Sequence, residues 1–162
     1  MERIKTAEGF SLIELLFVLV IIAALSAIAI PGYLGFQNRA HEAGITGTAR
    51  SSIDSLTFWV QSSLSPKIDL REVDTNFSGQ VDNNDKTNLE LFHDGVVKTY
   101  VDNRNAVLQE KSPWYTSLPL WSYDNSVPNG RITLIQETTS RVRIIAKNKT
   151  GQIVFEGIIS AD

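Results

Sequence analysis

The chain of 162 residues contains no cysteine. Disulfide bonds and zinc sites built on thiolates are therefore excluded, and any exported part of the chain must hold its loops by other means. The chain has 15 Lys and Arg and 18 Asp and Glu, which gives a net charge of −3. Basic residues are therefore too few for a nucleic-acid-binding surface. The two histidines, His41 and His93, are isolated in the sequence, so neither indicates a metal centre.

Motifs of catalysis are missing from the sequence as well. It contains no nucleophile and base at a recognisable spacing, no phosphate-binding glycine loop and no cofactor-binding motif, so we predict a protein that is not an enzyme. It also contains no internal repeat and no low-complexity tract. The functional classes that remain are structural and binding proteins. The sequence of the amino end helps to distinguish between them.

One long apolar run lies near the amino end. Of the sixteen residues from Leu15 to Ile30, only Ser26 is not hydrophobic. Extended back to Phe10, the run has 21 residues, which as a helix span about 31 Å, close to the roughly 30 Å hydrocarbon core of a bilayer. We predict one membrane-spanning helix, with Arg3 and Lys5 on the cytoplasmic side and the remainder of the chain outside.

The helical pattern continues beyond this run. Pro31 and Gly32 are expected to kink or loosen the helix, since proline removes a backbone donor and crowds the preceding turn. Further along, apolar residues recur at steps of three and four and form one stripe: Ile45, Ala49, Ile53, Leu56 and Val60. Ser65-Pro66 is a stop signal, so the spacing predicts a helix of about 55 residues that ends near Leu64.

The carboxyl-terminal part is rich in residues that favour strands. Three such runs, 131–136, 141–148 and 152–160, are separated by short turn-like segments and predict an antiparallel meander. The segment 89–101 is expected to supply a further strand or hairpin. The predicted fold class is α+β: a long amino-terminal helix packed on a carboxyl-terminal antiparallel sheet of roughly three to five strands.

The head of the apolar run carries a specific motif. Gly9-Phe10 is followed by Ser-Leu-Ile-Glu, which places Glu14 at the fifth position counted from Phe10, and Pro31 directly follows the apolar run. This pattern resembles the class III signal of type IV pilins and the related pseudopilins. The resemblance implies that a prepilin peptidase cuts between Gly9 and Phe10, that the new terminal Phe10 is N-methylated, and that the chain has the pilin fold.

The motif and the patterns together divide the chain into four segments. Residues 1–9 are the predicted leader peptide, which is cleaved off. Residues 10–31 are the predicted membrane-spanning helix, which would also form the core of a filament. Residues 32–64 are its amphipathic continuation, and residues 65–162 form a head of β-sheet and loops.

Glu14 is the one charged residue in the apolar run, and a lone carboxylate in lipid costs free energy unless it is paired or protonated. Two explanations are open. The carboxylate either sits at the membrane edge and reaches the headgroups, or, as the resemblance implies, meets the terminal amine of a neighbouring subunit during assembly. Gly9-Phe10 beside it favours the assembly role. Pro31 is likewise either a membrane-exit kink or a weak point that lets the helix stretch in a filament.

The stretch DTNFSGQVDNND, residues 74–85, indicates a second kind of site. Its oxygen-bearing side chains have the spacing of an EF-hand or dockerin-like calcium loop, with glycine at the sixth position. The predicted calcium ligands are Asp74, Asn76, Ser78, the carbonyl of Gln80, Asp82 and Asp85. Such an ion would be structural, and no cofactor is required for function. The alternative is an ordinary solvated turn, since loops are made of the same residue types.

We interpret the chain as a pilin whose mature form polymerises through its amino-terminal helix into a type IV pilus, and the sequence leaves its role open among adhesion, motility, DNA uptake and electron transfer. The resemblance implies, as partners, further copies of the chain, the prepilin peptidase, the inner-membrane assembly platform, a motor ATPase and the secretin. The precursor is expected in the inner membrane and the product in an extracellular pilus or a periplasmic pseudopilus. The alternatives are a pseudopilin of a type II secretion system, a minor pilin, and, outside the family, a membrane-anchored, calcium-stabilised binding module.

Overall fold

The computed structural model describes residues 9–161 and divides into two compact units, with the boundary between Ala40 and His41. One helix, α1 (Leu12–Ser63), contributes residues to both units. It has 52 residues, continues through Pro31 and ends next to Leu64, which confirms the predicted long helix and its end. Apart from Gly9, the predicted leader peptide lies outside the described residues, and so do Arg3 and Lys5.

In the first unit, α1 is apolar on all sides. Every large hydrophobic side chain from Leu12 to Phe36 is exposed among the described residues, and this part of the helix has no polar face. By its length and composition, α1 can cross a membrane.

In the second unit, the apolar stripe of α1 faces a hydrophobic core. Ile45, Ala49, Leu56 and Val60 are buried, and Ile53 is partly buried against them, as the spacing predicted. The opposite side of this core comes from alternate residues of the sheet strands, among them Ile132, Leu134, Val142, Ile144 and Ile159. Helix and sheet thus bury one face each.

Two short helices, α2 (Asn88–Asp94) and α3 (Val96–Val107), follow α1 along the chain. They occupy the segment 89–101, so the prediction of a strand or hairpin there is wrong. Its valines and aromatic residues favour strands locally, but a helix-start signal precedes them: the Thr87 hydroxyl accepts the Glu90 N–H, and the Glu90 carboxylate accepts the Thr87 N–H at 2.7 Å.

The sheet has four strands in the order β1 (Trp121–Ser122), β2 (Ile132–Gln136), β3 (Arg141–Lys147) and β4 (Ile153–Ser160). Strands β2, β3 and β4 form the predicted antiparallel meander. Strand β1 pairs with β2 in parallel, so the sheet is mixed and the expectation of a wholly antiparallel sheet is corrected. The reason is the long loop between Ser122 and Ile132, which returns the chain in its original direction, whereas a tight hairpin would have reversed it.

A partly buried ion pair fastens the loop after α3 to the core. The Arg104 guanidinium donates to both carboxylate oxygens of Glu110, at 2.6 and 3.2 Å, and Trp121 Nε1 donates to the same carboxylate at 2.6 Å. The guanidinium also donates to the Tyr100 hydroxyl and lies 4.5 Å from the centroid of the Trp121 ring. Burial raises the pKa of Glu110, but the hydrogen bonds from Arg104 and Trp121 outweigh it and hold that pKa below its usual value. This network connects α3, the loop after it and Trp121 in a chain that has no cysteine for a disulfide.

Asn148 makes a similar connection between the sheet and α1. The residue is 5% exposed and directly follows β3. Its Oδ1 accepts the backbone N–H groups of Thr150 and Gln152, each at 3.0 Å, and so closes the turn between β3 and β4. Its Nδ2 donates to Glu42 on α1 at 2.8 Å.

Candidate processing and assembly site

The residues of the predicted cleavage site stand directly before α1. Gly9 and Phe10 are non-helical and exposed, and the Phe10 side chain is 85% exposed. Helix α1 begins two residues later, at Leu12. The peptide bond between Gly9 and Phe10 is therefore outside the helix.

Glu14 lies in the first turn of α1 and has a partner within the chain. The backbone N–H of Ser11 donates to Glu14 Oε2 at 3.0 Å. This bond satisfies a donor near the helix start, and the carboxylate lies at the positive end of the helix dipole. Sequence reasoning placed Glu14 in the helix start but missed Ser11 as its donor, although the pattern S-x-x-E was a readable signal. The amine of a neighbouring subunit as a partner of Glu14 stays a prediction.

Pro31 lies apart from this cluster. It lies seventeen positions after Glu14, which corresponds to about 26 Å along the helix. The helix continues on both sides of Pro31, and the nearby Gly32 and Gly35 face open space. The structure thus brings Gly9, Phe10 and Glu14 together at one end of the apolar segment and places Pro31 beyond its other end.

The predicted calcium loop, residues 74–85, is organised around Asp85. This side chain is buried, and its Oδ1 accepts the N–H groups of Thr75 and Asn76 at 2.7 and 3.1 Å and the Thr75 hydroxyl at 3.1 Å. Its Oδ2 accepts the N–H of Asp82 at 2.8 Å. Asp85 thus serves as an internal acceptor that ties the two ends of the loop together.

The other predicted ligands also engage the loop's own backbone. Asp74 accepts the N–H groups of Ser78 and Gly79 at 3.0 and 2.6 Å, and Asn76 accepts the Ser78 N–H at 2.9 Å. The Ser78 hydroxyl donates to the carbonyl of Gln80 at 3.0 Å. Within residues 9–161, no three or more His, Cys, Asp or Glu side chains form a group that could hold a metal ion.

Phe77 attaches this loop to the core, a role that sequence reasoning missed. Its backbone has φ 55°, a conformation that non-glycine residues rarely adopt. The ring stacks on Trp59 with centroids 5.7 Å apart and meets Tyr100 edge-on at the same distance. This packing explains an aromatic residue at the fourth position, which is unusual in a calcium loop.

Calcium binding by this loop stays a prediction, and thermal unfolding tests it. If the loop binds calcium, a free calcium concentration of about 100 times the dissociation constant should stabilise the folded chain by about 2.7 kcal/mol relative to the chain in EDTA. The double variant Asp74→Asn, Asp82→Asn should lose this gain. Equal melting temperatures of the parent chain in calcium and in EDTA would identify the loop as an ordinary turn.

Asp85 should make stability depend on acid pH. Burial raises the pKa of Asp85, but hydrogen bonds from Asp82, Asn76 and Thr75 outweigh it, so the folded-state pKa lies below the usual value of an aspartate. The resulting stabilisation is fully present above about pH 4 and is lost as pH falls through the folded-state pKa. We expect Asp85→Asn to cost roughly 2 kcal/mol at pH 7, or about 5–10 °C in melting temperature, and to unfold with a weaker dependence on acid.

Melting curves between pH 2 and pH 7 measure this effect. Asp69→Asn is the matched control, because Asp69 is exposed and has no hydrogen bond or ion pair within residues 9–161. Identical pH profiles for the two variants would contradict the role assigned to Asp85.

Comparison with protein-family models matches residues 4–30 to the prokaryotic N-terminal methylation motif. The match includes Gly9, Phe10 and Glu14 and stops one residue before Pro31. No curated protein and no solved structure matches the chain.

Proposed function

The chain carries the N-terminal methylation motif that is typical of type IV pilin and pseudopilin precursors, and we propose that it is the structural subunit of a type IV pilus. In this proposal the prepilin peptidase cleaves between Gly9 and Phe10, and Phe10 is then N-methylated. The mature chain polymerises through the apolar part of α1. The assembly platform, the motor ATPase and the secretin act on it in turn.

One observation carries the proposal: the first half of α1 is apolar all round, and none of its residues is buried within the part of the chain that the structure describes. Such a surface is stable in lipid or against other apolar helices, and unstable in water. A precursor held in the membrane has the first environment. A subunit in a fibre has the second, since the helices of neighbouring copies cover it.

Glu14 explains how such helices select one register. Cleavage leaves an ammonium group on Phe10, and a buried charge requires a partner. The Glu14 carboxylate, held at the helix start by the Ser11 N–H, is positioned to supply the opposite charge to a neighbouring chain. An apolar helix without this group can pack against a neighbouring helix in many equivalent registers.

The proposal is tested by electron microscopy of fibres sheared from cells, combined with mass spectrometry of their main subunit. We expect long filaments whose subunit begins at Phe10 and carries one methyl group on its amino terminus. A processed chain that is absent from surface fibres and remains in the cell envelope would overturn this proposal. In that case a pseudopilin, which the same motif also fits, becomes the better explanation.

A further inference from the structure

A groove opens on the second unit between α3 and the edge of the sheet. Its volume is about 430 Å³, and its walls include Phe92, Val96, Val97, Tyr123 and Leu134. Of these residues, Phe92 and Tyr123 are exposed, whereas Val96, Val97 and Leu134 are buried, so the two aromatic rings form the part of the lining that faces solvent. A cavity of about 150 Å³ already holds a benzene ring, and this groove therefore has room for an aromatic side chain.

The same groove has a positive charge in its lining. Lys98 on α3 contributes to the wall, and its side chain is largely exposed. Its ammonium group lies 2.8 Å from Asp102 one turn further along α3, in an ion pair that is open to solvent. Exposed pairs of this kind are weak, so Lys98 remains able to interact with another carboxylate.

A matching feature projects from α1 in the same unit. Phe58 lies on the face of α1 turned away from the core, and its side chain is 49% exposed. The aromatic contacts described between residues 9 and 161 do not include its ring. Asp54, four residues earlier, lies on the same face, and its carboxylate has no hydrogen bond or ion pair with any described residue.

We propose that Phe58 of one copy inserts into the groove of a second copy, with Asp54 of the first beside Lys98 of the second. An exposed aromatic ring meets a groove with aromatic walls, and an unpaired carboxylate meets an exposed ammonium group. Aromatic anchors in pockets of this kind contribute much of the binding energy at protein interfaces. The inference rests on the proposed function, because it needs copies that assemble.

The geometry of this contact is open-ended. The anchor and the groove are different surfaces of one unit, so the second copy offers its own Phe58 to a third. A contact between two different surfaces closes into a ring only if the repeated rotation returns to the first copy. Otherwise further copies can be added without limit. This insertion therefore adds a contact between the second units of neighbouring copies to the packing of the apolar helices.

Cysteine cross-linking tests the contact, and the natural absence of cysteine removes any background. Phe58→Cys is combined with either Phe92→Cys or Tyr123→Cys, and sheared fibres are treated with a short bismaleimide. Ladders of linked subunits are expected from at least one double variant, whereas each single variant should stay monomeric on a denaturing gel. Normal fibres without a ladder from either pair would overturn the proposal.

The charges are tested by exchange. Asp54→Lys and Lys98→Glu are each expected to reduce fibre yield at least fivefold, and the double variant should recover most of the loss. Lys86→Glu is the matched control, since Lys86 also forms an ion pair in the same unit but does not line this groove. Single variants that match the control, or a double variant without recovery, would contradict the ion pair.

The two proposals fail in different ways. If the unaltered chain forms no fibres, the proposed function is wrong, and the proposed contact falls with it because no assembled copies exist. If it forms fibres in which Phe58→Ala assembles as well as Leu108→Ala, a change at another exposed apolar residue, only the proposed contact is wrong.

Discussion

Replacing Glu110 by alanine is expected to lower the free energy of unfolding of the second unit by about 3 kcal/mol. Removing one partner of a buried pair leaves the other charge uncompensated, which costs about 3–5 kcal/mol. We expect the lower end of this range, because the Glu110 side chain is 29% exposed to solvent. Arg104 would lose its counter-charge, and the Trp121 ring N–H would lose its acceptor. Urea unfolding of the detergent-solubilised chain, followed by tryptophan fluorescence, measures the loss.

Two further variants define what the pair contributes. Glu110→Gln keeps an acceptor for Trp121 but removes the charge, so we expect an intermediate loss. Asp102→Ala breaks the solvent-exposed pair with Lys98 and should cost less than about 1 kcal/mol. If Glu110→Ala cost no more than Asp102→Ala, the network around Arg104 would not be a main support of the unit.

Replacing Glu14 by alanine is expected to reduce the yield of surface fibres at least tenfold. The variant loses the acceptor for the Ser11 N–H, and a lost helix cap costs about 1 kcal/mol. In the proposed fibre it also leaves the Phe10 ammonium group without a counter-charge among apolar helices, which costs several kcal/mol more. The amount of chain in the sheared fraction, relative to the total in cells, is the measurement, and mass spectrometry reports whether cleavage still occurs.

The glutamine variant separates the two contributions. Glu14→Gln still offers an oxygen to the Ser11 N–H, so the helix start should be preserved, while the charge is gone. We expect it to form few fibres if the charge acts in assembly, and many if the cap is the main role. Full fibre yield from Glu14→Ala would remove Glu14 from assembly altogether. A chain that is never cleaved and never enters fibres, whichever residue stands at position 14, would instead favour an anchored module.

The parts of the fold that sequence reasoning predicted correctly depend on local periodicity. The stripe from Ile45 to Val60 has the helical period, and its burial follows directly from it. The meander of β2 to β4 was readable because short turns separate runs of β-branched residues. The helix end at Ser63 was readable from the Ser-Pro pair that follows.

One error comes from a local helix-start signal that the prediction overlooked, and the others come from non-local contacts. The valines of the segment 89–101 favour strands, but the box formed by Thr87 and Glu90 starts a helix there and packing on the core maintains it. The parallel pairing of β1 depends on the path of a loop, and no short-range pattern encodes that path. The hydrogen-bond network of Arg104, Glu110 and Trp121 joins three separate segments, so no pattern of sequence spacing predicts it.

The candidate site was predictable to a similar extent. The order Gly9, Phe10 and Glu14 is a linear motif, and the family comparison matches the same residues. In the loop 74–85, the sequence showed which oxygen atoms lie close together but not where they point. Asp85 turns toward the backbone because buried N–H groups need acceptors, a requirement that becomes visible only once the loop is folded.

The position of Asn148 has a consequence for sugar attachment. Asn148-Lys149-Thr150 has the form that an oligosaccharide transferase recognises, and the enzyme must reach the side-chain nitrogen of the asparagine. In the folded chain that nitrogen is committed to Glu42 and the side chain is buried. A glycan there would have to be attached before folding, and it would then separate the helix from the turn that Asn148 joins to it. The triplet therefore acts as a folding element, and the folded unit offers no acceptor at this position.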